Sequence, residues 1–143
     1  MIRKIQPGDA AEVKQMMEVF YASDALDSNG SPEIFAANVE NCLGDCPYVE
    51  CFVFEENGII QGYSMLAKGY ATEFGKPCIW IEDLYLKPEH RGQGIGSSFF
   101  PYVQALYPGH VIRLEAEPGN DGAIAMYLRN GFTTLPYRQL IIK

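Results

Sequence analysis

Three glycines in five residues carry the most specific chemistry in this chain. They lie in Leu86-Lys87-Pro88-Glu89-His90-Arg91-Gly92-Gln93-Gly94-Ile95-Gly96-Ser97, after an apolar run and at the head of a helical stretch. Glycine lets successive backbone N–H groups converge, and a helix N-terminus adds about half a positive charge. The product is a cradle for a phosphate or pyrophosphate, with Arg91 adding a full charge at its rim. A Walker A loop is excluded, because no lysine follows Gly96. The G-x-G-x-G spacing also departs from the G-x-G-x-x-G of dinucleotide sites. Each glycine costs a helix about 1 kcal/mol, so a turn that holds nothing is a poor account of three.

The elements that must position this cradle follow from periodicity. Cys78–Leu86 is the most apolar run and predicts a central strand, with Glu82 and Asp83 adjacent on it. Strict alternation puts these two acids on opposite faces, and a bulge would change that facing. Gly94 to about Leu106 reads as a helix with Pro101 inside it, Val111–Ala116 as a strand, and Asn120–Asn130 as a helix that Gly131 ends. Upstream, Ile2–Ile5 is a short strand. Val13, Met16, Met17 and Phe20 recur at helical spacing. Ser31-Pro32-Glu33 starts a second helix, with Ile34, Phe35, Val39, Cys42 and Leu43 on one face. Asn57-Gly58 between Val49–Phe54 and Ile59–Leu66 signals a hairpin. Thr133–Leu135 and Arg138–Ile142 read as two last strands. The order β-α-α-β-β-β-α-β-α-β-β predicts an α/β fold: one domain over residues 1–143, a mixed sheet with helices on both faces.

Arg91-Gly92-Gln93-Gly94-Ile95-Gly96 resembles the acetyl-coenzyme A motif Arg/Gln-x-x-Gly-x-Gly/Ala of the GCN5-related N-acetyltransferase (GNAT) superfamily. Asn120-Asp121-Gly122-Ala123-Ile124-Ala125-Met126-Tyr127-Leu128-Arg129-Asn130-Gly131-Phe132 is similar to its N-x-x-A-x-x-x-Y-x-x-x-G-F block. The two blocks stand in the family's order, a helix and a strand apart, and the inferred elements match it over nearly the whole chain.

The resemblance implies roles for particular residues. Arg91, Gly92, Gln93, Gly94, Ile95, Gly96 and Ser97 would hold the pyrophosphate of acetyl-CoA on backbone amides. Two parallel strands, here 78–87 and 111–116, would splay apart to admit the pantetheine arm. The backbone of Leu84, Tyr85 and Leu86 would polarise the acetyl carbonyl. Asn120 and Ala123 would touch the cofactor, and Asn120 also suits a helix N-cap. Tyr127 would be the general acid for the departing thiolate. Ile81-Glu82-Asp83-Leu84-Tyr85-Leu86 resembles the strand of polyamine acetyltransferases, which favours Glu82 as the base, with Asp83 second. Tyr21, Asp24, Asp27 and Glu33 would recognise the amine, and Tyr63, Tyr70, Tyr85 and Tyr137 could supply aromatic walls.

Composition agrees with a cationic acceptor. The 143 residues carry a net charge of −7, which argues against a nucleic-acid partner. Residues 9–56 hold 11 acids against Lys14 alone, whereas 57–143 hold 7 acids and 8 bases. No signal-peptide pattern or membrane-length apolar run is present, so the expected setting is cytoplasmic, away from membranes, with the four cysteines reduced. The 4- and 5-residue spacings of Cys42, Cys46 and Cys51 do not suit zinc, and no metal is expected. The expected activity is acetyl-CoA-dependent N-acetylation of a small or polyamine-like primary amine in a ternary complex. The alternatives are a protein N-terminus or lysine as acceptor, and a non-catalytic acyl-CoA sensor. A homodimer is compatible with Leu140, Ile141 and Ile142, which could extend a sheet or pack internally.

Overall fold

The computed structural model describes residues 1–26 and 28–143. Strands β1 (Ile2–Lys4), β2 (Val49–Glu56), β3 (Ile59–Ala71), β4 (Lys76–Leu86) and β5 (Val111–Leu114) form one sheet in chain order. The first three junctions are antiparallel, and β4–β5 is parallel. Helices α1 (Ala10–Tyr21) and α2 (Pro32–Leu43) precede β2, α3 (Ile95–Leu106) joins β4 to β5, and α4 (Asp121–Arg129) follows β5.

Local chemistry explains the boundaries. Ser31 caps α2 by accepting from the Ile34 N–H at 3.2 Å, and Pro32 takes the first turn, where no N–H is needed. Asn57 (φ 53°) and Gly58 (φ 79°) both sit in the left-handed region that a tight hairpin turn requires. The α3 helix runs unbroken through Pro101.

Two apolar layers enclose the sheet. Val13, Met16 and Met17 of α1 and Phe35 and Val39 of α2 pack on Cys51, Val53, Tyr63, Met65 and Tyr85. On the opposite face, Phe99, Phe100 and Val103 of α3 pack on Phe52, Phe54, Leu66, Ile79 and Ile81, with Met126 and Tyr127 of α4 at the margin. Each large side chain so buried contributes about 1.5–3 kcal/mol. Ile34, expected on the buried face of α2, is exposed instead, because the stripe centres on Phe35 and Val39.

Two features depart from the periodic reading. First, β4 contains a bulge. Asp83 pairs with Met65 and Ile81 with Leu66, so Glu82 is the extra residue. The phase flips there: Ile79 and Ile81 pack towards α3, and so do Leu84 and Leu86. Asp83 and Tyr85 are thereby turned towards α1. Second, neither last strand forms. Residues 132–143 contain no helix or strand, and residues 133–143 make no backbone–backbone hydrogen bond among the described residues. A strand needs backbone partners, and residues 133–143 make none with the outer edge of β5, where the sheet stops.

Candidate active site

The site is built where β4 and β5 part. Their ladder ends at Ile81–Leu114, while β4 runs on to Leu86. The β5-facing backbone groups of 82–86 therefore have no strand partner, and a wedge opens between the two strands. Glu82, the bulged residue, is exposed at its mouth. Glu115 follows directly on β5.

Beyond β4 the chain passes a short 3₁₀ turn (Pro88–His90) and enters the glycine loop. Gly92 (φ 73°) and Gly94 (φ 80°) adopt the left-handed region, and no heavy atom stands within 4 Å of where a Cβ would sit on either. The amides of residues 92–97 have no hydrogen-bond partner among the described residues, the last three being first-turn amides of α3. Free donors on an open, glycine-shaped backbone suit a phosphate group. Arg91 does not project from this rim. Its Nε donates to the Leu86 carbonyl at 2.9 Å, and its guanidinium lies 5.6 Å from the Tyr85 ring centroid. Gln93 Nε2 donates to the Glu89 carbonyl, and Ser97 Oγ accepts from Asn130 Nδ2 at 3.1 Å, tying α3 to α4.

The acids of β4 have different surroundings. Asp83 is 2% exposed, and its two carboxylate oxygens accept from Tyr21 Oη (2.9 Å) and Tyr63 Oη (2.8 Å). Burial holds its carboxyl above the usual range, against the lowering effect of the two tyrosine donors. The tyrosine hydroxyls are in turn held protonated by burial and by the Asp83 charge. Glu82 is also raised, first by restricted solvation, then by the charges of Glu115 and Asp83. Buried Ser64 pins the bulge by donating its hydroxyl to the Asp83 carbonyl at 2.7 Å.

Tyr127 lies on α4, half-buried between the rings of Phe100 and Phe132 at 6.0 and 5.9 Å. Its hydroxyl has no partner among the described residues, and burial raises its pKa. Asn120 caps α4 by accepting from the Ala123 N–H at 3.4 Å.

The structure thus gathers Glu82, Asp83 and Tyr21 on one side of the wedge mouth. Asp24 and Glu33 are exposed, with no ion-pair partner among the described residues. Asp27 lies outside the described residues. Tyr63, read only as an aromatic wall, donates directly to Asp83; this contact depends on the β3–β4 register, which no local signal in the sequence reveals. Glu115 was missed: the sequence put it inside a strand Val111–Ala116, whereas β5 ends at Leu114 and leaves Glu115 just past it. No group of three or more His, Cys, Asp and Glu side chains gathers as a metal site among the described residues. No helix there is long and apolar enough to cross a membrane.

Comparison with known proteins fits this geometry. A model of the acetyltransferase (GNAT) family matches residues 14–132. Thialysine N-epsilon-acetyltransferase of Bos taurus is 29% identical over 138 residues, covering 89% of this chain and 80% of that protein. The Mus musculus protein of the same name is 26% identical over 137 residues, covering 88% and 79%. Among solved structures, a possible acetyltransferase from Clostridium difficile 630 superposes with a TM-score of 0.84 at 18% identity, covering 100% of this chain and 96% of that one. The aminoglycoside N-acetyltransferase AAC(6')-Iy in complex with CoA gives 0.82 at 14% identity, covering 100% and 93%.

Proposed function

Because this chain belongs to the acetyltransferase (GNAT) family and is an N-acetyltransferase, we propose that it acetylates a primary amine at the end of a short alkyl chain, using acetyl-CoA in a ternary complex. The observation that carries this reading is the wedge: β4 and β5 part at Ile81–Leu114, and the bulge leaves the Glu82 carboxylate at the mouth. The names of the mammalian relatives support an amino-acid-like amine over a large acceptor. Four unpaired cysteines accord with a cytoplasmic setting.

Acetyl-CoA, when bound, supplies a thioester carbonyl for the amine to attack and a thiolate to leave. The amides of residues 92–97 hold the diphosphate, and Gly92 and Gly94 let it approach the backbone. Arg91 braces the loop against the end of β4. The N-terminal turn of α4, capped by Asn120 and including Ala123, adds a second positive helix end. The wedge-facing backbone of Leu84, Tyr85 and Leu86, apart from the Leu86 carbonyl held by Arg91, would bind along the wedge and polarise the carbonyl oxygen. An alkyl ammonium has a pKa near 10.4 in water, so it must lose a proton before attack. Glu82 accepts that proton, directly or through water. Its raised pKa makes it a better base than an ordinary carboxylate. Asp83 is unsuited to the task, since both of its oxygens are engaged by tyrosines. It instead orients Tyr21, which faces the amine. Asp24 and Glu33 act at longer range through their field. Tyr127 donates its proton to the departing sulfur and regains one, through water, from the second proton that the nitrogen loses as the amide forms, while the proton on Glu82 passes to solvent.

Thiol release from acetyl-CoA should be measured with lysine-like amino acids, diamines and polyamines as acceptors. Release with an alkyl amine, lost in E82Q and Y127F while acetyl-CoA still binds by calorimetry, is the expected result. Release that both variants retain in full would overturn the assignment of these residues, and no release from any amine would overturn the substrate class.

A further inference from the structure

Arg113 lies on β5 opposite Trp80 of β4. Their neighbours Ile79, Ile81, Ile112 and Leu114 pack towards α3. Alternation therefore puts Trp80 and Arg113 on the other face of the sheet, the one where Asp83 meets Tyr21. The Arg113 guanidinium carbon is 5.1 Å from the Trp80 ring centroid and 6.0 Å from that of Phe74. Rings steady the charge but offer no lone pair, so the N–H fork stays free.

That fork has no acceptor. Arg113 Nε is enclosed yet meets no hydrogen-bond partner, the one such side-chain nitrogen or oxygen among the described residues. Arg3, Lys68 and Lys87, also half-buried, each hold a carboxylate; Arg113 holds none among the described residues. The acids beside it are engaged by neutral donors. Glu73, next to Phe74, accepts from Tyr137 Oη at 2.7 Å, and Glu115 accepts from Gln139 Nε2 at 2.5 Å. An enclosed charged donor without an acceptor is costly unless a ligand supplies one.

Arg113 lines a cleft of about 970 Å³ together with Phe74, Trp80, Glu115, Tyr127 and Tyr137. The cleft thus joins this cation to Glu115, whose charge acts on Glu82 at the wedge mouth. Arg113 and Glu115 are two residues apart in the chain, which is about 6.6 Å along a strand. A zigzag carbon chain advances about 1.25 Å per bond, so about five or six bonds bridge that separation.

We propose that Arg113 binds a carboxylate of the acceptor, which is then an ω-amino acid whose reacting amine stands about five or six bonds from its carboxylate carbon. This rests on the amine acetylation proposed above and narrows its substrate. The carboxylate takes two N–H bonds from the fork, while the ammonium lies by Glu82 and Glu115. A diamine of the same length would set a second cation against Arg113, and a monoamine would leave the fork empty.

Acetyl transfer to 6-aminohexanoate and to hexylamine, matched in length, should be compared in the wild type, R113Q and R113K. Wild-type kcat/KM should favour the acid by about 10–100-fold. In R113Q that preference should vanish through KM, with kcat and the hexylamine kinetics held. R113K keeps the charge without the fork and should recover part of it. A wild type without the preference would overturn the proposal, and so would an R113Q that lowers both acceptors alike. Should neither acceptor react, the amine reading fails, and binding decides on Arg113 alone. Trp80 is the only tryptophan in the chain. Its fluorescence should respond saturably to 6-acetamidohexanoate and not to 6-acetamidohexanamide. An equal response to both, or none to either, would overturn the carboxylate site.

Discussion

Replacing Glu82 by glutamine should raise stability and lower activity together. In the folded chain its carboxyl is held above the usual range by restricted solvation and by the charges of Glu115 and Asp83. A group whose folded pKa is raised binds more protons folded than unfolded, so stability falls as pH rises through its ionisation. The cost is absent below the unfolded value of about 4.3 and complete above the folded one. E82Q should therefore melt like the wild type in acid and higher at neutral pH. Glu82 is exposed, so solvent screens the repulsion, and relief is worth about 0.2–1 kcal/mol. For a chain of this size that is about 1–4 °C in Tm. The same change removes the proposed base. Positioned bases contribute about 10²–10⁴-fold, and a loss of about 100-fold in kcat/KM corresponds to about 2.7 kcal/mol. Wild-type kcat/KM should rise with pH through the Glu82 ionisation, and the variant should lose that limb. Differential scanning fluorimetry across pH, paired with thiol-release kinetics, reads both effects. A variant that melts below the wild type at neutral pH would refute the crowded-carboxylate reading. One that keeps kcat/KM within about threefold would refute the base.

Other residues give separable tests. Tyr127→Phe keeps the ring between Phe100 and Phe132, so Tm and acetyl-CoA Kd should hold while kcat falls by about 100-fold. Tyr63→Phe removes one donor from buried Asp83 and should cost about 1–3 kcal/mol at neutral pH by denaturant melts. That bond favours the ionised carboxylate, so the deficit should shrink as pH falls and Asp83 protonates. Gly62→Ala would place a Cβ 2.2 Å from the Tyr85 carbonyl oxygen, so β3 and β4 must separate. A loss of about 1–3 kcal/mol is expected in the same melts.

Local signals in the sequence carried most of the fold. The Ser31 cap, the Asn57-Gly58 turn and the glycine loop need only neighbouring residues to be understood, and each appears where its spacing puts it. Features that depend on distant partners were not legible. The β4 bulge is a register choice between β3 and β4, stabilised by the Ser64 hydroxyl, which alternation within one strand cannot reveal. The missing last strands have suitable residues, but strand formation also demands an edge that residues 133–143 do not reach. Tyr127 enters the proposed site only through a motif. Its aromatic packing alone would have marked it as core.

The charge distribution shows how such long-range pairing changes a sequence argument. The acidic stretch 9–56 suggested a field for a cationic acceptor, yet four of its acids are already engaged. Arg3 bonds Asp9 and Glu55, Lys4 and Lys68 bond Glu50, and Lys87 bonds Glu12. These pairs fasten β1, β2 and α1 to one another and to the end of β4, and their fields largely cancel outside. Glu82 and Glu115 lie in the near-neutral part of the chain and have no basic partner among the described residues. Two unpaired carboxylates flanking one opening repel each other, and an ammonium ion between them would relieve that repulsion. On the proposed function, the attraction for an amine therefore comes less from the net charge of a segment than from two acids that the fold brings together and leaves unneutralised.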